Sequence, residues 1–134
     1  MAASPDEAAR IWNRAAMAVD ASARDGFLPG DIALADVLLL HGYAMGGGLL
    51  DAVESLTGDQ VDAAIRGFMV LGMPDLAALV RDVRERATSS DPDVLEALEL
   101  EASSRYAALV PSDSVLDRAF QPVLDDRPEL FAAV

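Results

Sequence analysis

The segment Asp31-Ile32-Ala33-Leu34-Ala35-Asp36-Val37-Leu38-Leu39-Leu40-His41-Gly42-Tyr43-Ala44-Met45-Gly46-Gly47-Gly48-Leu49-Leu50 decides the architecture. Its apolar residues Ile32, Leu34, Ala35, Leu38 and Leu39 fall around much of a helix's girth, not on one stripe. That pattern predicts a helix buried on more than one side. Asp31 is placed to cap it. The run Gly46-Gly47-Gly48 then breaks the pattern, because glycine permits positive φ and close backbone approach. Leu49, Leu50, Val53 and Leu56 follow as a short third helix.

Upstream, Ser4-Pro5-Asp6-Glu7 reads as a helix start, with a capping serine, a proline suited to the first position and an acid three residues after the cap. Ala8, Ile11, Trp12, Ala15, Ala16 and Val19 recur at helical spacing, Arg10 and Arg14 fall off that stripe, and Asp25-Gly26 should end the helix. Downstream, Thr57-Gly58-Asp59-Gln60 repeats the capping pattern and opens a helix with Val61, Ala64, Ile65, Phe68 and Met69 inward. Asp62 and Arg66 are spaced to pair on it. Gly72 stops it, and Pro74 opens the next, with Leu76, Leu79, Val80 and Val83 inward. Asp91-Pro92 starts a sixth helix carrying Leu95, Leu98, Ala102 and Leu109, ended by Pro111. Ser112 or Asp113 caps a last helix with Val115, Leu116, Ala119 and Phe120. Pro122 is placed to kink it, and Pro128-Glu129 begins a final turn. No useful period-two strand pattern occurs. The expectation is an all-α protein: one domain over residues 1–134, core between 5 and 131, a compact bundle of about six or seven short helices.

Composition narrows the function classes. With 134 residues and 52% hydrophobic content, the chain can bury a core without staples, and it is too apolar for a disordered acidic tail. Cysteine is absent, which excludes disulfides and thiolate chemistry and fits a reducing cytoplasm. Met1 to Glu7 has neither a basic nor an apolar leader region, so no secretory signal is expected. No apolar run approaches the roughly 20 residues of a membrane span. Twenty-three acids oppose ten arginines, for a net charge of −13. Such a chain is repelled by nucleic acid and anionic membranes and attracted to basic protein surfaces.

His41 is the only histidine, so no multi-histidine metal site can form, and its place near the end of an apolar helix suits a structural role. The glycine run is no phosphate loop: no strand precedes it, no Lys-Ser/Thr follows, and Asp51 and Glu54 would repel phosphate. Asp91/Asp93 and Asp125-Asp126 lack the calcium-loop pattern. Neither metal nor cofactor is expected, and an enzyme is disfavoured. The distribution of acids stands out instead. Asp31, Asp36, Asp51, Glu54, Asp59 and Asp62 are unbroken by arginine, and Asp93, Glu96 and Glu99 point away from the Leu95/Leu98/Ala102 stripe of the sixth helix. The candidate partner-binding surface is therefore Asp51, Glu54, Asp59, Asp62, Asp91, Asp93, Glu96 and Glu99. A candidate pocket gathers His41, Tyr43 and Gly47.

Two stretches carry a family resemblance. His41-Gly42-Tyr43-Ala44-Met45-Gly46-Gly47-Gly48-Leu49-Leu50, continued by Val53-Glu54-Ser55-Leu56, Ala63-Ala64 and Leu71-Gly72-Met73, is one. Glu101, Tyr106 and Leu109, then Asp113 to Arg118 and the run Arg127-Pro128-Glu129-Leu130-Phe131, are the other. Over residues 8–131 the chain resembles the DMP19-like family, acidic helical bacterial proteins of largely unknown function related to DNA mimics. Met45 departs from an asparagine common there, and Leu49 from an aromatic. The resemblance implies an all-α bundle and self-association, which admits a homodimer. For the DNA mimic, it implies occupation of a repressor's DNA-binding surface. The leading expectation is an acidic module that binds the basic surface of a regulator and does not itself bind nucleic acid. The alternatives are an immunity or antitoxin-like protein facing a basic toxin, and a small-ligand binder or hydrolase using His41, Tyr43, Asp51 and Glu54.

Overall fold

A computed structural model describes residues 3–18 and 20–134; Val19, expected on the first helical stripe, lies outside them. Seven α-helices follow in order: α1 (Pro5–Met17), α2 (Pro29–Gly47), α3 (Leu49–Ser55), α4 (Gly58–Val70), α5 (Pro74–Arg86), α6 (Pro92–Leu109) and α7 (Asp113–Asp126). Short 3-10 turns occupy Ala21–Arg24 and Pro128–Leu130. No strand occurs among the described residues, so the protein is all-α.

The helix starts obey local chemistry. Ser4 Oγ accepts the Glu7 N–H at 3.1 Å ahead of Pro5. Thr57 and Gln60 form the reciprocal box: Thr57 Oγ1 accepts the Gln60 N–H at 3.1 Å, and Gln60 Oε1 accepts the Thr57 N–H at 2.9 Å. Asp91 accepts the Asp93 N–H at 2.9 Å ahead of Pro92. Gly72, with φ +71°, makes the turn between α4 and α5.

Several boundaries differ from expectation. Helix α2 starts at Pro29 with Leu28 as cap, and Asp31 sits at its third position, where Oδ2 accepts the Leu28 N–H at 3.0 Å. Proline's fixed φ suits the first helical position, so the chain enters the helix earlier than the acid suggests. The helix runs through Gly46 and Gly47 and stops only at Gly48, whose φ of +92° ends it. His41 thus lies a full turn and more inside α2, away from its C-terminal dipole. Helix α1 ends at Met17, and Arg24 Nε donates to the Ala18 carbonyl at 3.1 Å as the chain folds back through the 3-10 turn. Ser112 is the cap of α7 by position, and the helix continues through Pro122.

One continuous core joins the helices, with Phe68, Phe120, Ile11, Leu34, Leu40 and Leu49 among its fully buried side chains. Helix α2 lies across α1, α3 and α4. A Cβ on Gly67 of α4 would meet the Ala33 carbonyl oxygen at 2.6 Å and Val37 Cγ2 at 2.9 Å, so glycine lets α2 and α4 touch backbone to backbone. That contact turns the buried face of α4 toward Gly67. Met69, expected inward, is consequently 54% exposed. Ala16 and Leu109, also expected inward, are exposed too. An aromatic chain fixes α7: Trp12 meets Phe120 at 6.0 Å, and Phe120 meets Phe131 edge-on at 5.5 Å.

Candidate functional site

The acids sort into those that arginine or histidine engages and those it does not. Asp31 and Asp36 turn inward to Arg14 and Arg24. Asp62 pairs across helices with Arg84 on α5, not with Arg66 on its own helix. The hydrogen bond and charge of Arg84 hold Asp62's carboxyl below the usual carboxylate range against slight desolvation. On the α5–α6 seam, Arg86 bridges Asp82 and Glu101, and Arg105 donates to Asp82 at 3.0 Å. Desolvation pushes Asp82's carboxyl up, but hydrogen bonds from Arg105 and Arg86 outweigh it and leave it lowered.

Asp51, Glu54, Asp59, Asp91, Asp93, Glu96 and Glu99 are exposed and have no ion-pair partner among the described residues. Helical phase places Glu96 and Glu99 on one flank of α6 and Glu101 and Arg105 on the other. The second flank pairs with α5. The first shares its side of the helix with Ser103, whose Oγ would lie 2.9 Å from a Cβ on Gly48 at the start of α3. Asp51 and Glu54 are exposed on α3 itself. Leu100, 69% exposed, stands between Asp93 and Glu96 in the helical phase of α6.

The candidate pocket residues divide. Tyr43 and Gly47 line an open depression of about 470 Å³ with Ala16, Leu38, Leu39, Gly42, Gly46 and Asp51. His41 turns the other way. It is 5% exposed, with Nδ1 2.7 Å from Tyr106 Oη on α6 and Nε2 2.6 Å from Asp113 Oδ1 at the start of α7. A carboxylate only accepts, so in the neutral ring Nε2–H donates to Asp113 and Nδ1 accepts from the phenol. Burial, and then the Asp113 charge, raise the phenol's pKa, which keeps it a donor. His41 thus ties α2 to α6 and α7. Glu54, grouped with it in the hydrolase alternative, does not line the depression.

A family model of DMP19-like proteins matches residues 25–133. The chain belongs to the DMP19-like family. No curated protein and no solved structure matches it. The family match covers the glycine-containing α2, both acid-bearing helices α3 and α6, and the closing Pro128–Leu130 turn.

In this DMP19-like chain the most elaborate polar cluster is one that sequence reading missed. Arg14 Nη2 donates to Asp31 Oδ1 at 2.7 Å and to the Ala132 carbonyl at 3.0 Å, while Nη1 donates to the Ala133 carbonyl at 3.1 Å. Asp31 Oδ2 also accepts the Ala132 N–H at 2.7 Å. The guanidinium lies 5.6 Å from the centre of the Phe27 ring. Asp31, fully buried in the first turn of the apolar α2, had one legible signal: a buried acid needs a cation, and α1 offered two, Arg10 and Arg14, between which the sequence does not choose. No helix is long and apolar enough to cross a membrane among the described residues.

Proposed function

We propose that this DMP19-like protein is a non-catalytic binding module whose α3–α6 acid face occupies the basic, DNA-binding surface of a regulator. The observation that carries this is the sorting of charge. Arg84 and Arg86 of α5 and Arg105 of α6 neutralise Asp62, Asp82 and Glu101. Asp51, Glu54, Asp59, Asp91, Asp93, Glu96 and Glu99 are in no ion pair among the described residues. Residues three apart on a helix stand about 5–6 Å from each other, so Asp93, Glu96 and Glu99 form a dense anionic row. Leu100 supplies an apolar anchor within it, as productive interfaces require beyond charge. The family relation to DNA mimics favours a DNA-binding regulator as the partner. The engagement of both His41 ring nitrogens supports a role without proton transfer.

The test is capture from native extract at low salt, followed by release with duplex DNA. A DNA-binding protein should be retained, be displaced by DNA, and lose affinity steeply as salt rises from roughly 0.05 to 0.5 M. A variant with Asp51→Asn, Glu54→Gln, Glu96→Gln and Glu99→Gln should bind at least about tenfold more weakly. A control with Asp82→Asn and Glu101→Gln should bind like the parent. Recovery of a basic toxin in place of a regulator, or equal binding by the fourfold variant, would overturn the reading.

A further inference from the structure

Helices α2 and α4 touch at Gly67, and both line a second depression of about 400 Å³. Ile32, Asp36 and Leu39 face it from α2, spaced four and three residues apart and so on one side of that helix. Asp59, Ala63 and Arg66 face it from α4 at the same spacing. Arg24, at the end of the Ala21–Arg24 turn, joins them. Two guanidinium groups and two carboxylates therefore border one hollow whose remaining wall is largely aliphatic.

These four charges are incompletely matched inside the protein. Asp36 is only 9% exposed, and Arg24 Nη1 engages its Oδ1, yet its Oδ2 accepts no hydrogen bond among the described residues. Buried polar atoms are ordinarily hydrogen-bonded. Arg24 directs Nε to the Ala18 carbonyl and Nη1 to Asp36, which leaves Nη2 open. Arg66 is in no ion pair among the described residues, although the chain holds 23 acids. Asp62, four residues before it, is taken by Arg84. Asp59, as described above, is unpaired too.

We infer that this depression binds a free α-amino acid with an aliphatic side chain. Arg66 and Nη2 of Arg24 take the carboxylate, Asp36 Oδ2 and Asp59 take the ammonium group, and Ile32, Leu39 and Ala63 cover the side chain. The inference goes beyond the binding reading and does not depend on it. Charge selects the zwitterion. Asp36 and Asp59 oppose a simple anion. Arg24 and Arg66 oppose a simple cation, which the rest of a surface carrying −13 attracts more strongly. A molecule with both charges on neighbouring atoms, and an apolar branch beside them, satisfies all four groups.

The test is isothermal titration calorimetry of the full chain with L-leucine as the probe. Three analogues run beside it: N-acetyl-L-leucine, which lacks the ammonium group, L-leucinamide, which lacks the carboxylate, and glycine, which lacks the side chain. Leucine should bind saturably with a Kd of roughly 1 mM or below, and each analogue at least about tenfold more weakly. Arg66→Met should weaken leucine binding at least about tenfold. Because Arg66 is exposed, that variant should melt within about 2 °C of the parent. Arg81→Met, at an exposed arginine outside the depression, should bind leucine like the parent. The inference is overturned if leucine gives no saturable heat at roughly 10 mM. It is overturned equally if Arg66→Met binds like the parent, or if a blocked analogue binds as tightly as leucine, which would make a peptide end the occupant. Arg66 lies outside the acid face, so failed regulator capture sinks only that reading and failed leucine binding only this one.

Discussion

Replacing Asp31 by alanine tests the Arg14 cluster most directly. Asp31 is fully buried and accepts three hydrogen bonds: from the Arg14 guanidinium and from the N–H groups of Leu28 and Ala132. Hydrogen bonds to charged groups contribute about 1.5–3 kcal/mol each, and breaking one side of a buried ion pair costs about 3–5 kcal/mol. The guanidinium is a quarter exposed and keeps the Ala132 and Ala133 carbonyls. That places the loss at the lower end, about 3 kcal/mol. Against a typical stability of about 5–15 kcal/mol, this is a large fraction. For a chain of this size it corresponds to a fall in melting temperature of roughly 10 °C. Urea unfolding followed by circular dichroism reads it, with the midpoint falling at nearly constant slope. The double variant Arg14→Met/Asp31→Leu should recover more than half of the loss, because an apolar pair carries no desolvation cost. If Asp31→Ala costs under about 1 kcal/mol, or the double variant is worse than the single, the cluster does not fasten the fold as argued.

Gly67→Ala should destabilise by about 1–3 kcal/mol although alanine favours helix, because the added methyl collides with the Ala33 carbonyl oxygen. Gly58→Ala, where a Cβ meets nothing, should be neutral or stabilising by thermal melting. His41→Ala should cost about 2–3 kcal/mol in urea unfolding by leaving the buried Tyr106 hydroxyl unpaired, with no effect on capture of a basic partner. Asp62 is lowered in the folded protein, so its contribution is complete above the unfolded carboxylate pKa and is lost as pH falls through the folded value. Acid unfolding monitored from neutral pH should show that contribution missing in Arg84→Met, and an unchanged acid limb would refute it.

The starts of α1, α4 and α6 were legible because each is written within four residues, whereas that of α2 was placed two residues late, at Asp31. Ser4 with Glu7, Thr57 with Gln60 and Asp91 with Pro92 need no knowledge of the rest of the chain. The glycine run was misread for the converse reason. Glycine permits many conformations, and only the packing of α2 against α3 selects Gly48 as the break and leaves Gly46 and Gly47 helical. The acid face was legible as composition but not as surface. Asp31, Asp36 and Asp62 look alike in sequence to Asp51 and Glu54, yet their fates depend on Arg14, Arg24 and Arg84, which lie from 12 to 22 residues away. His41 shows the same limit, since Tyr106 and Asp113 reach it from 65 and 72 residues downstream.

The clasp between Arg14 and the Ala132 and Ala133 carbonyls spans nearly the whole described chain. During synthesis, at about 5–20 residues per second, α1 emerges many seconds before the segment that completes its docking. Until that segment has left the ribosome, Arg14 lacks its two carbonyl acceptors, and Phe120, which Trp12 of α1 meets, lacks its edge-on partner Phe131. A nascent chain therefore cannot close this clasp around α1 before the segment carrying Ala132 and Ala133 has emerged, so α1 waits longest for its polar partners.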